Sequence, residues 1–176
     1  MSILTSRSGR KWVIGEKNVG TGTASEVQQM SSFKGSYEYS VDAKGRVNIP
    51  AKLRKYLLPE ANDTFVVTRG YERCLFLYPV DEWTSLELSI RQLSPSNAQH
   101  RLFTRTLLQY ATECQLDAQS RITLPKELLQ FAGIKDHVLI LGVLERIEVW
   151  NPKVHEEYLT SQTESYESIA QQVFQR

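Results

Sequence analysis

With 176 residues, 41% of them hydrophobic, the chain can bury a core as one domain or two small ones. A formal net charge of +1 excludes a uniformly basic or acidic protein, and the longest apolar run, Val138 to Leu144, is far too short to cross a bilayer. Arg7, Arg10 and Lys11 precede only Trp12-Val13-Ile14, too little for a signal peptide, and Cys74 and Cys114 read as free thiols of a cytoplasmic protein rather than a bridge.

Residues 1–32 are rich in Gly, Ser and Thr without sustained apolar period, which predicts a disordered arm. An alternative is that the chain starts at Met30, where the patterned sequence begins. From Gly35, Tyr37, Tyr39 and Val41 alternate with Ser36, Glu38 and Ser40, which is strand periodicity. The turn Ala43-Lys44-Gly45 leads into a second short strand in which Val47 and Ile49 alternate with Arg46 and Asn48. Pro50 then fits the first turn of a helix, with Leu53, Leu57 and Leu58 opposite Lys52, Arg54 and Lys55, closed by Pro59. Runs 64–68 and 74–78 flank Arg69-Gly70-Tyr71-Glu72 as a hairpin. These elements make a first unit over residues 33–80.

A helical insert over 81–110 follows. Trp83, Leu86, Ile90 and Leu93 fall at helical spacing, Ser94-Pro95 interrupts, and Leu102, Thr106, Leu107 and Tyr110 resume it. The next segment repeats the first. Residues 116–125, LDAQSRITLP, echo residues 41–50, VDAKGRVNIP, at an offset of 75. Asp42 matches Asp117, Arg46 matches Arg121, Pro50 matches Pro125 and Leu53 matches Leu128. After three residues drop out, Val66 falls against Val138, Gly70 against Gly142, Leu75 against Ile147, Leu77 against Val149 and Tyr78 against Trp150. The second unit spans 111–153, and each unit is small for a domain standing alone, so the two are expected to share one body. Asn151-Pro152 reads as the N-cap and first residue of a helix carrying Val154, Tyr158 and Leu159, within a C-terminal segment 154–176. Ile169, Val173 and Phe174 extend it as a partner-dependent helix.

The repeated Asp-x-x-Gly-Arg carries a physical rationale. An Asp entering a tight turn accepts hydrogen bonds from backbone N–H groups two to four residues on, and Gly45 permits positive φ. Arg46 leaves the turn on a strand, placed to fork onto a phosphate or a guanine edge, while Lys44 adds a point charge from the turn itself. The plainer reading is that Asp and Arg pair with each other to hold the turn, and that Lys52, Arg54 and Lys55 merely solvate a helix. Charge distribution separates the copies. Residues 33–58 hold six basic side chains (Lys34, Lys44, Arg46, Lys52, Arg54, Lys55) against Glu38 and Asp42, giving +4. The matching window 108–133 holds Arg121 and Lys126 against Glu113, Asp117 and Glu127, giving −1. A basic face confined to one copy can meet phosphate while the molecule stays near neutral.

The order GSYEYSVDAKGRVNIPAKLR, repeated as CQLDAQSRITLPKELL with Trp-bearing helices expected between and after, resembles the MraZ family of bacterial transcriptional regulators, over about residues 33–160. The resemblance implies an α+β fold with a mostly β core: two tandem AbrB-like (swapped-hairpin) units forming one pseudo-symmetric, β-barrel-like body with flanking helices, assembled into a ring-shaped homo-oligomer. It implies sequence-specific binding to double-stranded DNA, at direct repeats upstream of the division and cell-wall gene cluster, as a repressor of the chain's own operon in the cytoplasm and nucleoid. By position, the DNA-binding residues it implies are Lys44 and Arg46 in the first copy and Arg121 in the second, with Asp42, Gly45 and Asp117 organising the turns. Lys34, Lys52 and Arg54 are phosphate candidates from charge. Ser120 stands where the family pattern has Gly, and Gln119 where copy one has Lys44, so copy one is expected to touch DNA and copy two to complete the core or an interface.

Two other function classes stay open. An enzyme is disfavoured: His100, His137 and His155 show no metal-ligand spacing and no carboxylate pairing with a mechanism attached, and there is no phosphate loop, nucleophile motif, cofactor signature or small-molecule site. An oligomeric ring scaffold acting through protein partners is the main alternative, with a docking surface around Tyr166 to Phe174.

Overall fold

The computed structural model describes residues 31–175. The expected arm therefore lies almost wholly outside the described residues; of its last two, Ser31 is buried, and its N–H donates to Glu82 Oε1 at 2.8 Å. The elements run β1 (Phe33–Ser40), β2 (Arg46–Asn48), α1 (Ala51–Arg54), β3 (Thr64–Arg69), β4 (Cys74–Pro79), α2 (Val80–Ile90) and α3 (Ala98–Leu108). The second half follows with β5 (Thr112–Gln115), β6 (Arg121–Thr123), α4 (Lys126–Phe131), β7 (His137–Leu144), β8 (Arg146–Trp150), α5 (Pro152–Thr160) and α6 (Tyr166–Phe174). The fold is mixed α+β and strand-rich.

Pairing interleaves the two copies. Apart from the hairpins β3–β4 and β7–β8, each ladder joins one copy to the other: β1 with β7, β3 with β5, β4 with β8 and β2 with β6, all antiparallel. This arrangement is invariant when β1–β4 are exchanged for β5–β8, a pseudo-twofold relation. Its axis passes near the pairs Val47–Ile122 and Phe76–Glu148, each the centre of a symmetric register.

Among the described residues the ladder does not close into the expected barrel. The main sheet has six strands in the order β1-β7-β8-β4-β3-β5, leaving β1 and β5 as edges, and β2–β6 is a separate two-stranded ribbon. The tight turns that end β1 and β5 swing the next strand off the sheet, so β2 and β6 pair with each other. A single bridge, Val41–Val47, ties ribbon to β1.

Alternation along the strands sorts the core into two layers. One sheet face, with Phe65, Val67, Leu75, Leu77, Val138, Ile140, Ile147 and Val149, packs on Val47 and Ile122 of the ribbon and on Leu53 and Leu128. The other, with Val66, Cys74, Phe76, Tyr78 and Trp150, packs on Trp83, Ile90 and Leu107 of α2 and α3. Leu53 of α1 and Leu128 of α4 are essentially fully buried at equivalent places. Truncating either to Ala costs about 2–5 kcal/mol.

Several details depart from the sequence expectations. Facing residues follow an offset of 73 between β3 and β7 and 72 between β4 and β8, because two residues are lost before β7 and one in the hairpin. Val138 thus matches Phe65, not Val66, and Gly142 matches Arg69, not Gly70. A one-residue slip would have turned every β7 side chain to the wrong face. Gly142 is needed where it stands: any Cβ there would run into the β1 backbone at Phe33 and Lys34. Helix α1 is a single turn, with Pro50 at its N-cap rather than inside it. It stops short because Pro59 holds Leu58 extended, at φ −80° and ψ 153°. On α3, Leu102 is exposed and Phe103 instead turns to the sheet, beside Leu107, which is buried as its spacing implied. The cap at Asn151 forms as read, its side chain accepting from the Lys153 N–H, and Cys74 and Cys114 are free. No described helix is long and apolar enough to cross a membrane.

Candidate nucleic-acid interface

The repeated motif builds the same turn twice. Asp42 Oδ1 accepts from the N–H groups of Lys44 at 2.9 Å and Arg46 at 3.0 Å, while Oδ2 accepts from Arg46 Nε at 2.7 Å. Asp117 Oδ1 accepts from Gln119 and Arg121 N–H groups at 2.9 and 3.0 Å, and Oδ2 from Arg121 Nε at 2.9 Å. An Nη2–Oδ2 contact of 2.7 Å completes each ion pair. The plainer reading of the motif is therefore realised: in both copies Asp and Arg pair to hold the turn.

This pairing does not use up the arginine. One edge of each guanidinium, Nε and Nη2, rests on the carboxylate, leaving Nη1 on the other edge, and the side chains of Arg46 and Arg121 are 29% and 26% exposed. An arginine braced along one edge presents the other with little rotamer freedom left to lose. The hydrogen bond from Arg46 holds the Asp42 carboxyl down at about 2, and Arg121 lowers Asp117 in the same way.

The turns also lock the copies together. Gly45 sits at φ +76° and Ser120 at +62°, so both occupy the left-handed region. In that conformation Gly45 O accepts from Leu124 N–H at 2.9 Å, and Ser120 O accepts from Ile49 N–H at 3.1 Å. A Cβ on Gly45 would lie 3.0 Å from Leu124 O and 3.2 Å from Leu129 Cδ1. At the second turn the place of Leu129 is taken by Arg54 of copy one, whose Nε instead donates to Ile49 O at 3.2 Å. The second turn thus carries a side chain at the position where the first is closely packed.

Between the turns the ribbon has two faces. Val47 and Ile122 point inward and are buried. Arg46, Asn48, Arg121 and Thr123 share the outward face, with Arg46 opposite Thr123 and Asn48 opposite Arg121. Both candidate arginines therefore stand on one surface about the pseudo-twofold axis. Asn48 and Thr123 were not singled out as contacts in the sequence; their signal was the alternation that placed Arg46 and Asn48 on the same side.

Lys44 projects from the first turn and is exposed. Lys52 is exposed and Arg54 half-buried on α1, directly after β2, and Lys55 lies 4.9 Å above the Tyr56 ring. Gln119, Glu127, Leu129 and Gln130 take the places of Lys44, Lys52, Arg54 and Lys55 in copy two. Lys34 does not join this group. It faces Val143 at the opposite end of β1, seven residues before Val41, or roughly 23 Å of strand. Of the histidines, His155 packs edge-on against Trp150 at 5.1 Å, and His100 Nδ1 accepts from Ser94 N–H at 3.1 Å.

The model of one protein family, described as "MraZ protein, putative antitoxin-like", matches residues 32–106 and again 107–176. The chain belongs to the MraZ family. Its two family units each include the helices that follow their strands, and the boundary falls inside α3. Similar proteins include the "Transcriptional regulator MraZ" of Natranaerobius thermophilus, 43% identical over 141 residues, covering 80% of this chain and 96% of that one. The same-named proteins of Halothermothrix orenii and Thermoanaerobacter pseudethanolicus are 44% and 42% identical, covering 78% of this chain and 94% and 93% of theirs.

Proposed function

We propose that this chain is a sequence-specific DNA-binding transcriptional regulator that reads double-stranded DNA through the first copy's turn and the outward face of the β2–β6 ribbon. The observation that carries the reading is a pseudo-symmetric ribbon with two braced arginines on its outward face, flanked by Lys44 on the first turn and by Lys52 and Arg54 of α1 where β2 ends beside Arg121. A two-stranded ribbon fits the DNA major groove, where an arginine reads guanine and neighbouring lysines neutralise phosphates. The names of the relatives point the same way. Arg46 is the principal contact, Arg121 a secondary one, Asp42, Gly45 and Asp117 hold the turns, and Lys34 contributes from a separate site.

A single subunit neutralises few phosphates and binds weakly. The chain therefore acts as a homo-oligomeric ring whose subunits engage direct repeats together, so effective concentration supplies what one patch cannot. Its operator lies upstream of its own operon, in the division and cell-wall cluster, and occupancy represses it. No catalytic step is assigned to it, and it works in the cytoplasm on the nucleoid.

The test is fluorescence anisotropy with DNA from upstream of the gene and a scrambled duplex across a salt series. Preferential binding that falls steeply with salt is expected. Equal or absent binding to both duplexes contradicts the reading and favours a ring scaffold working through protein partners.

A further inference from the structure

The β2–β6 ribbon is almost its own image under the pseudo-twofold exchange, and its outward face shows where the likeness fails. Exchange carries Arg46 onto Arg121 and Asn48 onto Thr123, since Arg46 faces Thr123 across the ladder and Asn48 faces Arg121. Both arginines are braced by their aspartates in the same way, so the pair looks alike from either end. The other two outward positions do not. One carries a carboxamide, the other a hydroxyl and a methyl.

Structure alone does not call for Asn48. Asparagine is a poor strand residue and β-branched threonine a good one, so copy two holds the better structural residue at the equivalent place. Asn48 and Thr123 are both exposed. Neither side chain makes a hydrogen bond among the described residues, so the Asn48 carboxamide is free. It offers an acceptor and two donors, the set that pairs with N7 and N6 of adenine in the major groove. It stands two residues beyond Arg46 on one strand, roughly 6.7 Å along it. That matches about two steps of a duplex, at roughly 3.4 Å each.

We propose that Asn48 reads an adenine about two base pairs from the guanine read by Arg46, and that this contact sets which way round the ribbon lies on its site. Two arginines related by a twofold read guanine alike in either direction. Lys44, which also breaks the symmetry, meets phosphate and carries no base information. Thr123 has a single hydroxyl, which cannot span both adenine groups. Subunits joined head-to-tail in a ring present their ribbons in one sense, and direct repeats require that sense at every box. A contact that fixes direction is what such a reader needs. The inference rests on the DNA reading proposed above and names a base that it recognises.

The test selects duplexes from a randomised pool with the full-length chain, with Asn48→Thr, and with Asn48→Thr combined with Thr123→Asn. Competition anisotropy on single-base-pair variants of the selected site then measures each preference, and thermal melts confirm folding. The native chain should select the adenine, and replacing that A·T pair should weaken binding about 5- to 100-fold. Asn48→Thr should lose this preference and keep the guanine. The doubly exchanged chain should regain the adenine with the subunit reversed on the site, a gain that a residue merely supporting the strand would not produce. Fe–EDTA tethered at Ala43→Cys, on the exposed first turn, should then cleave on opposite sides of the site in the native and exchanged backgrounds. Placing 7-deazaadenine, which lacks N7, in the site should weaken native binding with the protein unchanged. A native site with no adenine preference, a preference that survives Asn48→Thr, or cleavage on the same side in both backgrounds overturns the inference and leaves a sequence-specific regulator standing. Selection of no sequence at all overturns both this contact and the DNA reading on which it rests.

Discussion

The two turns of the repeat are superposable in their hydrogen bonds and opposite in their surroundings. Around Asp42 and Asp117 the carboxylate takes the same two backbone N–H groups and the same guanidinium, to within 0.2 Å. What differs is outside that cage: Lys44 on the first turn against Gln119 on the second, and, packed in from the other copy, Leu129 of α4 at the first turn against Arg54 of α1 near the second. Duplication shows which residues the fold requires, since those are kept in both copies. Those that changed were free to serve something else. The Asp–Arg pair is thus architecture first, and the basic residues that copy one alone contributes are where a function is to be sought.

Substitutions that cross the two copies probe that division. The largest effect is expected from Arg46→Ala, which should weaken binding to the upstream DNA by about 10- to 100-fold in an anisotropy titration, the scale of a lost specific arginine contact. Gly45→Ser should destabilise the fold by about 1–3 kcal/mol in urea denaturation, since its Cβ meets Leu124 O and Leu129 at positive φ. The reciprocal Ser120→Gly should stabilise by about 0.5–1 kcal/mol, because a non-glycine residue is relieved of φ +62°. If both changes act with the same sign, the two turns are not packed differently as described.

Smaller effects follow from charge. Lys44→Gln should lower affinity uniformly across sequences, about two- to fivefold, and reduce the salt slope by about one; Gln119→Lys should do the reverse. Asp42 titrates at about 2 when folded, below its ordinary 3.8. A depressed carboxyl contributes stability above its unfolded value, and that contribution is lost as pH falls from about 4 towards 2. Thermal melts over that window should therefore fall more steeply for the native chain than for Asp42→Asn.

Much of this was legible in the sequence because the repeat, read at an offset of 75, aligned Asp42 with Asp117 and Arg46 with Arg121, and strand alternation placed Val47 inward. The cap at Asn151 followed from local chemistry alone. Three things were not legible, each for a physical reason. Register between β3 and β7 depends on where deleted residues fall, which similar apolar runs cannot reveal. Ribbon closure depends on which strand completes which edge, a non-local choice, so a barrel-like body was expected where an open sheet carries a separate ribbon. Lys34 looked like part of the basic cluster by sequence proximity, but an extended strand carries it roughly 23 Å away. For the candidate site, charge composition identified Lys44, Lys52 and Arg54, whereas only the β2–β6 pairing brought Arg121 onto the same face as Arg46.

The central claim is that equivalent arginines do unequal work because only the first turn carries a lysine, Lys44 where the second has Gln119. The most direct measurement sets Arg46→Ala beside Arg121→Ala, each titrated with the upstream duplex under one salt condition, with thermal melts confirming that both fold. The account predicts a large loss of affinity for Arg46→Ala and a clearly smaller one for Arg121→Ala. An equal loss in the two, or a larger one for Arg121→Ala, would contradict it.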